Sequence, residues 1–173
     1  SSTGKSTLAK GLAKALGFPH VDSGAMYRGV TLYVQQHGLI ENKKVKTETL
    51  LSQLDDIHLR FEGDTFWLNG VDVSAEIRSM QVSEAVSLVA AIPEVRTFLV
   101  AQQRIMGANQ SVAMDGRDIG TVVFPKADIK LFLTADVNIR AQRRFDELSA
   151  QNTLTSVAEV RNNLAERDHL DST

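Results

Sequence analysis

Short apolar strand patterns alternate with amphipathic helix patterns along this chain, and that alternation limits the possible folds more than any other feature. Ser111-Val-Ala-Met114 reads as a buried strand ending at Asp115, and Ile129 to Leu133 as another ending near Thr134. Phe18-Pro19-His20-Val21 reads as a strand end leading into the loop Asp22-Ser23-Gly24. Helical spacing separates them. Residues 6–16 carry Leu8, Leu12 and Leu16 and stop at Gly17; Ala25 to His37 stops at Gly38; residues 75–92 run up to Pro93. Pro93 then opens a helix to Met106 with Val95, Phe98, Leu99, Gln102 and Ile105 on one face and Gly107 as its stop. Val137, Ala141, Phe145 and Leu148 mark the next helix, and residues 149–155 a polar loop. Ser156 and Glu159 form a capping-box pattern before a last helix with Val157, Val160 and Leu164. The pattern predicts an α/β fold in three layers, with helices on both faces of a parallel central sheet.

One segment breaks the alternation. Ile57, Leu59 and Phe61 alternate with His58, Arg60 and Glu62; Gly63-Asp64 gives a turn; Phe66 and Leu68 alternate again; Asn69-Gly70 gives a second turn before Val71 and Val73. This predicts a small three-stranded antiparallel meander over about 57–73, inserted into the α/β order.

The chain opens with Gly4-Lys5-Ser6-Thr7 directly before its first helix. In the pattern G-x-x-x-x-G-K-[ST], backbone N–H groups and a helix N-terminus face phosphate oxygens, lysine reaches the β- and γ-phosphates, and Ser or Thr meets Mg²⁺. The first glycine of that pattern falls two residues before Ser1. A four-residue match is compatible with a capped surface helix carrying the letters by chance; the helix behind it favours phosphate binding. Arginines stand where a phosphoryl-transfer site needs them. Arg28 follows Asp22-Ser23-Gly24 by about a helical turn, Arg117 lies in Asp-Gly-Arg-Asp after an apolar strand, Arg140, Arg143 and Arg144 share one helix, and Arg167 lies late in the last one. Asp115, an acid at a strand end, suits a water-mediated Mg²⁺ contact and equally suits a turn before Gly116.

Composition narrows the classes. The formal net charge is −2, so broad electrostatic binding to nucleic acid is not expected. There is no cysteine, which excludes disulfides and cysteine zinc sites and fits a reducing compartment. No apolar run is long enough to span a bilayer. A chain of 173 residues is expected to form one domain. The missing N-terminal Met and the helical pattern still running at Asp168-His-Leu-Asp-Ser-Thr173 suggest a longer protein at both ends.

The blocks GKSTLAKGLAKALGF, VDSGAMYRGVT, VSLVAAIPEVR, MDGRDIGTVVFP, KLFLTA and RDHLDST, in this order and spacing, resemble bacterial cytidylate kinases over the whole of residues 1–173. DSGAMYR and DGRDIGTVVFP are the most specific. The resemblance implies a P-loop fold with an acceptor-binding region over 25–106, the meander as its insertion, and a lid over 140–160. It implies phosphorylation of CMP and dCMP by ATP with Mg²⁺. Ser2, Thr3, Gly4, Lys5, Ser6 and Thr7 with Arg143 would hold ATP, and Ser6 and Asp115 the metal. Ser23, Arg28 and Arg117 would meet the acceptor side, with Arg28 on the CMP phosphate. Ser87, Arg96 and Asp118 would read cytosine, and Arg167 and Asp171 would hold the sugar. Lys5, Arg28, Arg117, Arg140 and Arg144 would neutralise the phosphoryl group in transfer.

Those roles agree with the chemistry of the base. Cytosine donates from N4 and accepts at N3 and O2, so a carboxylate and a hydroxyl can face N4 while an arginine faces N3 and O2. Uracil reverses this polarity, and a buried mispairing costs about 1–3 kcal/mol. Direct in-line transfer needs no covalent intermediate and no strong base. Alternatives are another small-molecule kinase of this type, acting on UMP, AMP or shikimate, or a nucleotide-binding module without transfer. The expected setting is a cytoplasmic monomer acting on small molecules, with no nucleic acid or membrane partner.

Overall fold

The computed structural model describes residues 3–150 and 156–172. They form two compact units, one of residues 8–128 and one of residues 3–7 with 129–150 and 156–172. The first helix, α1 (Lys5–Leu16), begins at the boundary between them.

In the larger unit, β1 (His20–Asp22) pairs in parallel with β7 (Ala113–Asp115), Asp22 opposite Asp115. This is the parallel pairing expected of an α/β chain. Between them run α2 (Ser23–Gln36), the hairpin β2 (Ile40–Glu41) and β3 (Lys44–Val45), α3 (Thr47–Ser52), the meander, α4 (Met80–Ala90) and α5 (Pro93–Met106). The meander is antiparallel, β4 (Leu59–Glu62), β5 (Thr65–Leu68) and β6 (Val71–Asp72) in that spatial order. Its second turn is Asn69-Gly70, both at positive φ (49° and 81°), the pair that a tight hairpin turn demands. Asn42 and Lys43, also at positive φ, make the same kind of turn between β2 and β3; without glycine it carries little sequence signal. The core joins α2 (Met26, Val30, Val34) to meander residues Phe66 and Leu68 and to Val82, Val89, Val95 and Leu99 of α4 and α5.

Element boundaries follow local hydrogen bonds. Helix α2 starts at Ser23, two residues before the spacing suggests, because the Asp22 carboxylate accepts from Ala25 N at 3.1 Å. The helix expected over 75–92 is two pieces, a 3₁₀ turn (Glu76–Arg78) and α4. Ser79 divides them: extended in backbone, it accepts on Oγ from Val82 N at 3.3 Å and restarts the helix. Helix α5 has the predicted bounds, but its buried stripe is Val95, Leu99 and Gln103. Ile105 lies a step further round the cylinder and is 66% exposed. Leu8, Leu12 and Leu16 of α1 are likewise exposed.

In the smaller unit, α6 (Val137–Ala150) and α7 (Val157–Ser172) pack through Ala141, Val160 and Leu164. The capping box at Ser156 forms as expected: Ser156 N donates to Glu159 Oε2 at 2.9 Å, and Glu159 N to Ser156 Oγ at 3.2 Å. The strand expected at 129–133 does not form. A strand is held by ladder bonds to a neighbour; no described segment pairs with these residues. Ile129 and Phe132 are 78% and 91% exposed. Among the described residues no helix is long and apolar enough to cross a membrane.

Removing the Ser79 cap, Ser79→Ala, is expected to lower stability by about 1 kcal/mol, read as a lower urea midpoint at unchanged slope.

Candidate active site

The parallel pair β1–β7 sends two chain segments out of the sheet at adjacent points, after Asp22 and after Asp115. The carboxyl ends of parallel strands are where open α/β sheets hold ligands. The first segment enters α2 at Ser23, which is buried. The second turns through Gly116-Arg117-Asp118. The two lie in contact: a Cβ on Gly116 would overlap Ser23 Oγ and come within 2.9 Å of Ile119 Cδ1. Only glycine lets the loop come so close to the start of α2.

Asp118 is fixed by a wide, π-type turn over Ile119–Val123. Its carbonyl accepts from Val122 N at 2.8 Å, and Phe124 N donates to Ile119 O at 2.7 Å. Arg104 of α5 secures the far end, donating from Nη2 to Val122 O at 2.7 Å and from Nε to Val123 O at 3.1 Å. The Asp118 side chain faces Arg96 of α5, Nη2 to Oδ2 at 3.6 Å. That separation and the exposure of Arg96 make a weak pair, worth roughly 0–1 kcal/mol. Tyr27 of α2 lies near enough to them that both charges act on its hydroxyl. Burial pushes the Tyr27 hydroxyl pKa up, the Asp118 charge adds to this, and Arg96 opposes it. Tyr27 therefore stays neutral, with a donor proton, across the physiological range.

Asp115 sits deeper. His20 Nε2 lies 2.7 Å from its Oδ1, and both side chains are mostly buried. A carboxylate only accepts, so the imidazole proton sits on Nε2. Arg28, one turn into α2, donates from Nη1 to Ser83 Oγ at 2.8 Å and to Ile77 O at 3.1 Å. Arg117 is exposed on the loop beside Asp118.

Among the residues expected at an acceptor site, the fold thus joins Ser23 to the 115–118 loop and Arg96 to Asp118. Ser87 stands exposed on α4, and among the described residues no side-chain hydrogen bond links it to Arg96 or Asp118. Sequence reasoning misses His20, Tyr27 and Ser83. His20 is two residues before Asp22 in an alternating strand, and Tyr27 adjoins Arg28; both signals become specific only when the loop after β7 is seen beside them.

In the smaller unit, Gly4 has φ +88°, a conformation that favours glycine, and Lys5 opens α1. Lys5 Nζ donates back to Thr3 Oγ1 at 3.3 Å, so the lysine lies along the loop. Ser6 and Thr7 are exposed in the first turn, and Ser2 lies outside the described residues. On α6, Arg140 and Arg144 share a half-buried face and Arg143 is exposed. Arg167 and Asp171 fall on α7, but their side chains lie outside the described part, as does the loop 151–155 of the expected lid.

For Mg²⁺, the relevant question is whether oxygen donors are present in the sparse set that this ion uses. Mg²⁺ is commonly held by one or two protein oxygens plus phosphates and water, without a protein cage. In the larger unit the Asp115 carboxylate is an oxygen donor of that kind, in the smaller unit the Ser6 hydroxyl is another, and no group of three or more His, Asp or Glu gathers among the described residues.

A model of the cytidylate kinase family matches residues 1–173. The chain belongs to the cytidylate kinase family. It is 51% identical over 180 residues to the cytidylate kinase of Parabacteroides distasonis, covering 100% of this chain and 78% of that one. The cytidylate kinase of Flavobacterium psychrophilum is 49% identical over 178 residues, with 99% and 79% covered. That of Porphyromonas gingivalis is 47% identical over 180 residues, with 100% and 78% covered. The family resemblance and the enzyme class read from the sequence are thereby borne out.

In this cytidylate kinase family member the contact between Gly116 and Ser23 sets a test. Gly116→Ala is expected to cost about 1–3 kcal/mol in urea unfolding. Adding Ser23→Ala should recover part of that loss in a double-mutant cycle, because the hydroxyl is the nearest obstacle.

Proposed function

We propose that the protein phosphorylates CMP and dCMP, with ATP as donor. The observation that carries the reading is the contact of Ser23 with the loop after β7 and of Arg96 with Asp118 on that loop, beside the carboxyl ends of β1 and β7. A phosphate oxygen of the acceptor attacks the γ-phosphorus of ATP as the bond to the β-phosphate oxygen breaks, giving two diphosphates. The acceptor phosphate is already a nucleophile, so the protein contributes position and charge.

Arg28 and Arg117 take the acceptor phosphate. Asp118 accepts from the cytosine N4 amino group, and Arg96 donates to N3 and O2. Their weak pairing at 3.6 Å suits that use, since little is lost when each turns to the base. Ser87 assists Asp118 at N4, and Arg167 and Asp171 hold the sugar. Ser2, Thr3, Gly4, Lys5, Ser6 and Thr7, with Arg143, hold the ATP phosphates. Arg140 and Arg144, in a lid over 140–160, neutralise charge in transfer and exclude water. Mg²⁺, held by Ser6 and Asp115, would supply positive charge to the phosphate oxygens. The enzyme acts as a cytoplasmic monomer on free nucleotides, and its net charge of −2 supports the absence of a nucleic-acid partner.

Coupled ADP release with CMP, dCMP, UMP and AMP tests the reading. Turnover concentrated on CMP and dCMP is expected; turnover only with another acceptor would overturn the base-reading residues, and ATP binding without transfer would overturn the kinase.

Two variants test the parts. Lys5→Ala should reduce kcat by about 100-fold or more, as expected for loss of a group acting on charge developed in transfer. Asp118→Ala should lower the preference for CMP over UMP by about 10-fold or more, measured as the ratio of kcat/KM values.

A further inference from the structure

The exit of the meander is hydrogen-bonded to an arginine that the proposed function uses. Arg28 Nη1 carries two protons, and both have protein partners: Ser83 Oγ at 2.8 Å and Ile77 O at 3.1 Å. Both acceptors are themselves fixed. Ile77 lies in the 3₁₀ turn after the meander with its side chain buried in the core, so its carbonyl cannot swing. Ser83 lies in the first turn of α4, and its hydroxyl proton is directed to Ser79 O at 2.8 Å. That donation turns a lone pair of Oγ towards α2. The hydroxyl therefore presents an acceptor to Arg28, and a guanidinium, which can only donate, fits it.

The chain of bonds runs from the Ser79 carbonyl through the Ser83 hydroxyl to the Arg28 guanidinium, and it uses the backbone of Ser79, not its side chain. We propose that Ser83 is a positioning residue for the acceptor phosphate, acting through Arg28. This rests on the reading of Arg28 as a phosphate contact. An arginine side chain has several rotatable bonds and would wander over the end of α2 if unrestrained. Two bonds to Nη1 fix the plane of the guanidinium, and a planar fork must be in the right plane to meet phosphate oxygens bidentately. The turn that ends the insertion and the helix after it thereby aim the arginine.

A positioning residue of this kind makes a selective prediction. In the intact protein, Ser83→Ala should raise KM for CMP by about 5- to 20-fold, the scale of one hydrogen bond to a charged group with the second retained. KM for ATP should stay within about twofold. Cytidine, which has no phosphate, should inhibit the variant and the parent with the same constant. Ser83→Thr keeps the hydroxyl, which in a helix can bond the carbonyl four residues back, and should restore KM for CMP. Ser79→Ala is the stability control: it removes the helix cap but keeps the carbonyl, so it should lower the urea midpoint while leaving KM for CMP unchanged.

An unchanged KM for CMP in Ser83→Ala, with an active parent, overturns the proposal. Equal weakening of CMP and cytidine, or an equal KM shift in Ser79→Ala, overturns it too, because either would report general loosening. A parent enzyme with no CMP-dependent turnover would overturn the functional reading first, and this proposal with it.

Discussion

The parallel register of β1 and β7 is the constraint on which the rest of the larger unit depends. Pairing His20 with Ala113 places Asp22 opposite Asp115, so two loops leave the sheet side by side. It also brings His20 within hydrogen-bond reach of Asp115. A shift of one residue would turn every side chain of the shifted strand to the other face. His20 would lose Asp115, and Gly116 would no longer meet Ser23. Each strand of the pair is only 3 residues long, so the register is held mainly from outside it. Helix α2 grows directly from β1 with Met26 and Val30 fully buried, while Arg104 pins the turn that follows β7.

Around that pair, polar side chains act mostly through backbone groups. Asp22 caps α2, Ser79 caps α4, Arg104 holds two carbonyls, and Arg28 shares its Nη1 between a carbonyl and a hydroxyl. Such bonds set where helices begin and turns end. The weak contact is the ion pair of Arg96 and Asp118, whose members on the proposed function turn to the base. The division has a physical logic: groups that must stay are tied to the main chain, and groups that must trade partners are tied loosely to each other.

Much of this architecture is legible in the residues themselves, for identifiable reasons. Asn69-Gly70 and the alternation around it specify the meander, because few other dipeptides accept two positive φ values. Pro93 and Gly107 bracket α5, and Ser156 with Glu159 announce α7. What the pattern misses depends on neighbours. The apolar run at 129–133 has the composition of a strand but no described partner to supply a ladder. Ser79, in a stretch otherwise suited to helix, interrupts it through one side-chain bond that spacing does not reveal. At the candidate site, Arg28, Asp115 and Asp118 stand out by their motifs. Tyr27 and Ser83 do not, since each acquires a role only through an arginine distant in sequence or on another helix.

The pairing of Arg96 with Asp118 has a consequence for how a nucleotide can enter. Opposite charges a few ångströms apart cancel at a distance, so the pair projects little net field into solvent. A free anion drawn to the guanidinium would meet the carboxylate beside it, and a free cation drawn to the carboxylate would meet the guanidinium. A neutral ring with donors and acceptors on one edge suffers neither conflict. On the proposed function, the two ends of the incoming molecule are sorted by this surface: its phosphate gains nothing by lodging there, and its base does. Backward docking would be discouraged before any close contact with the base forms.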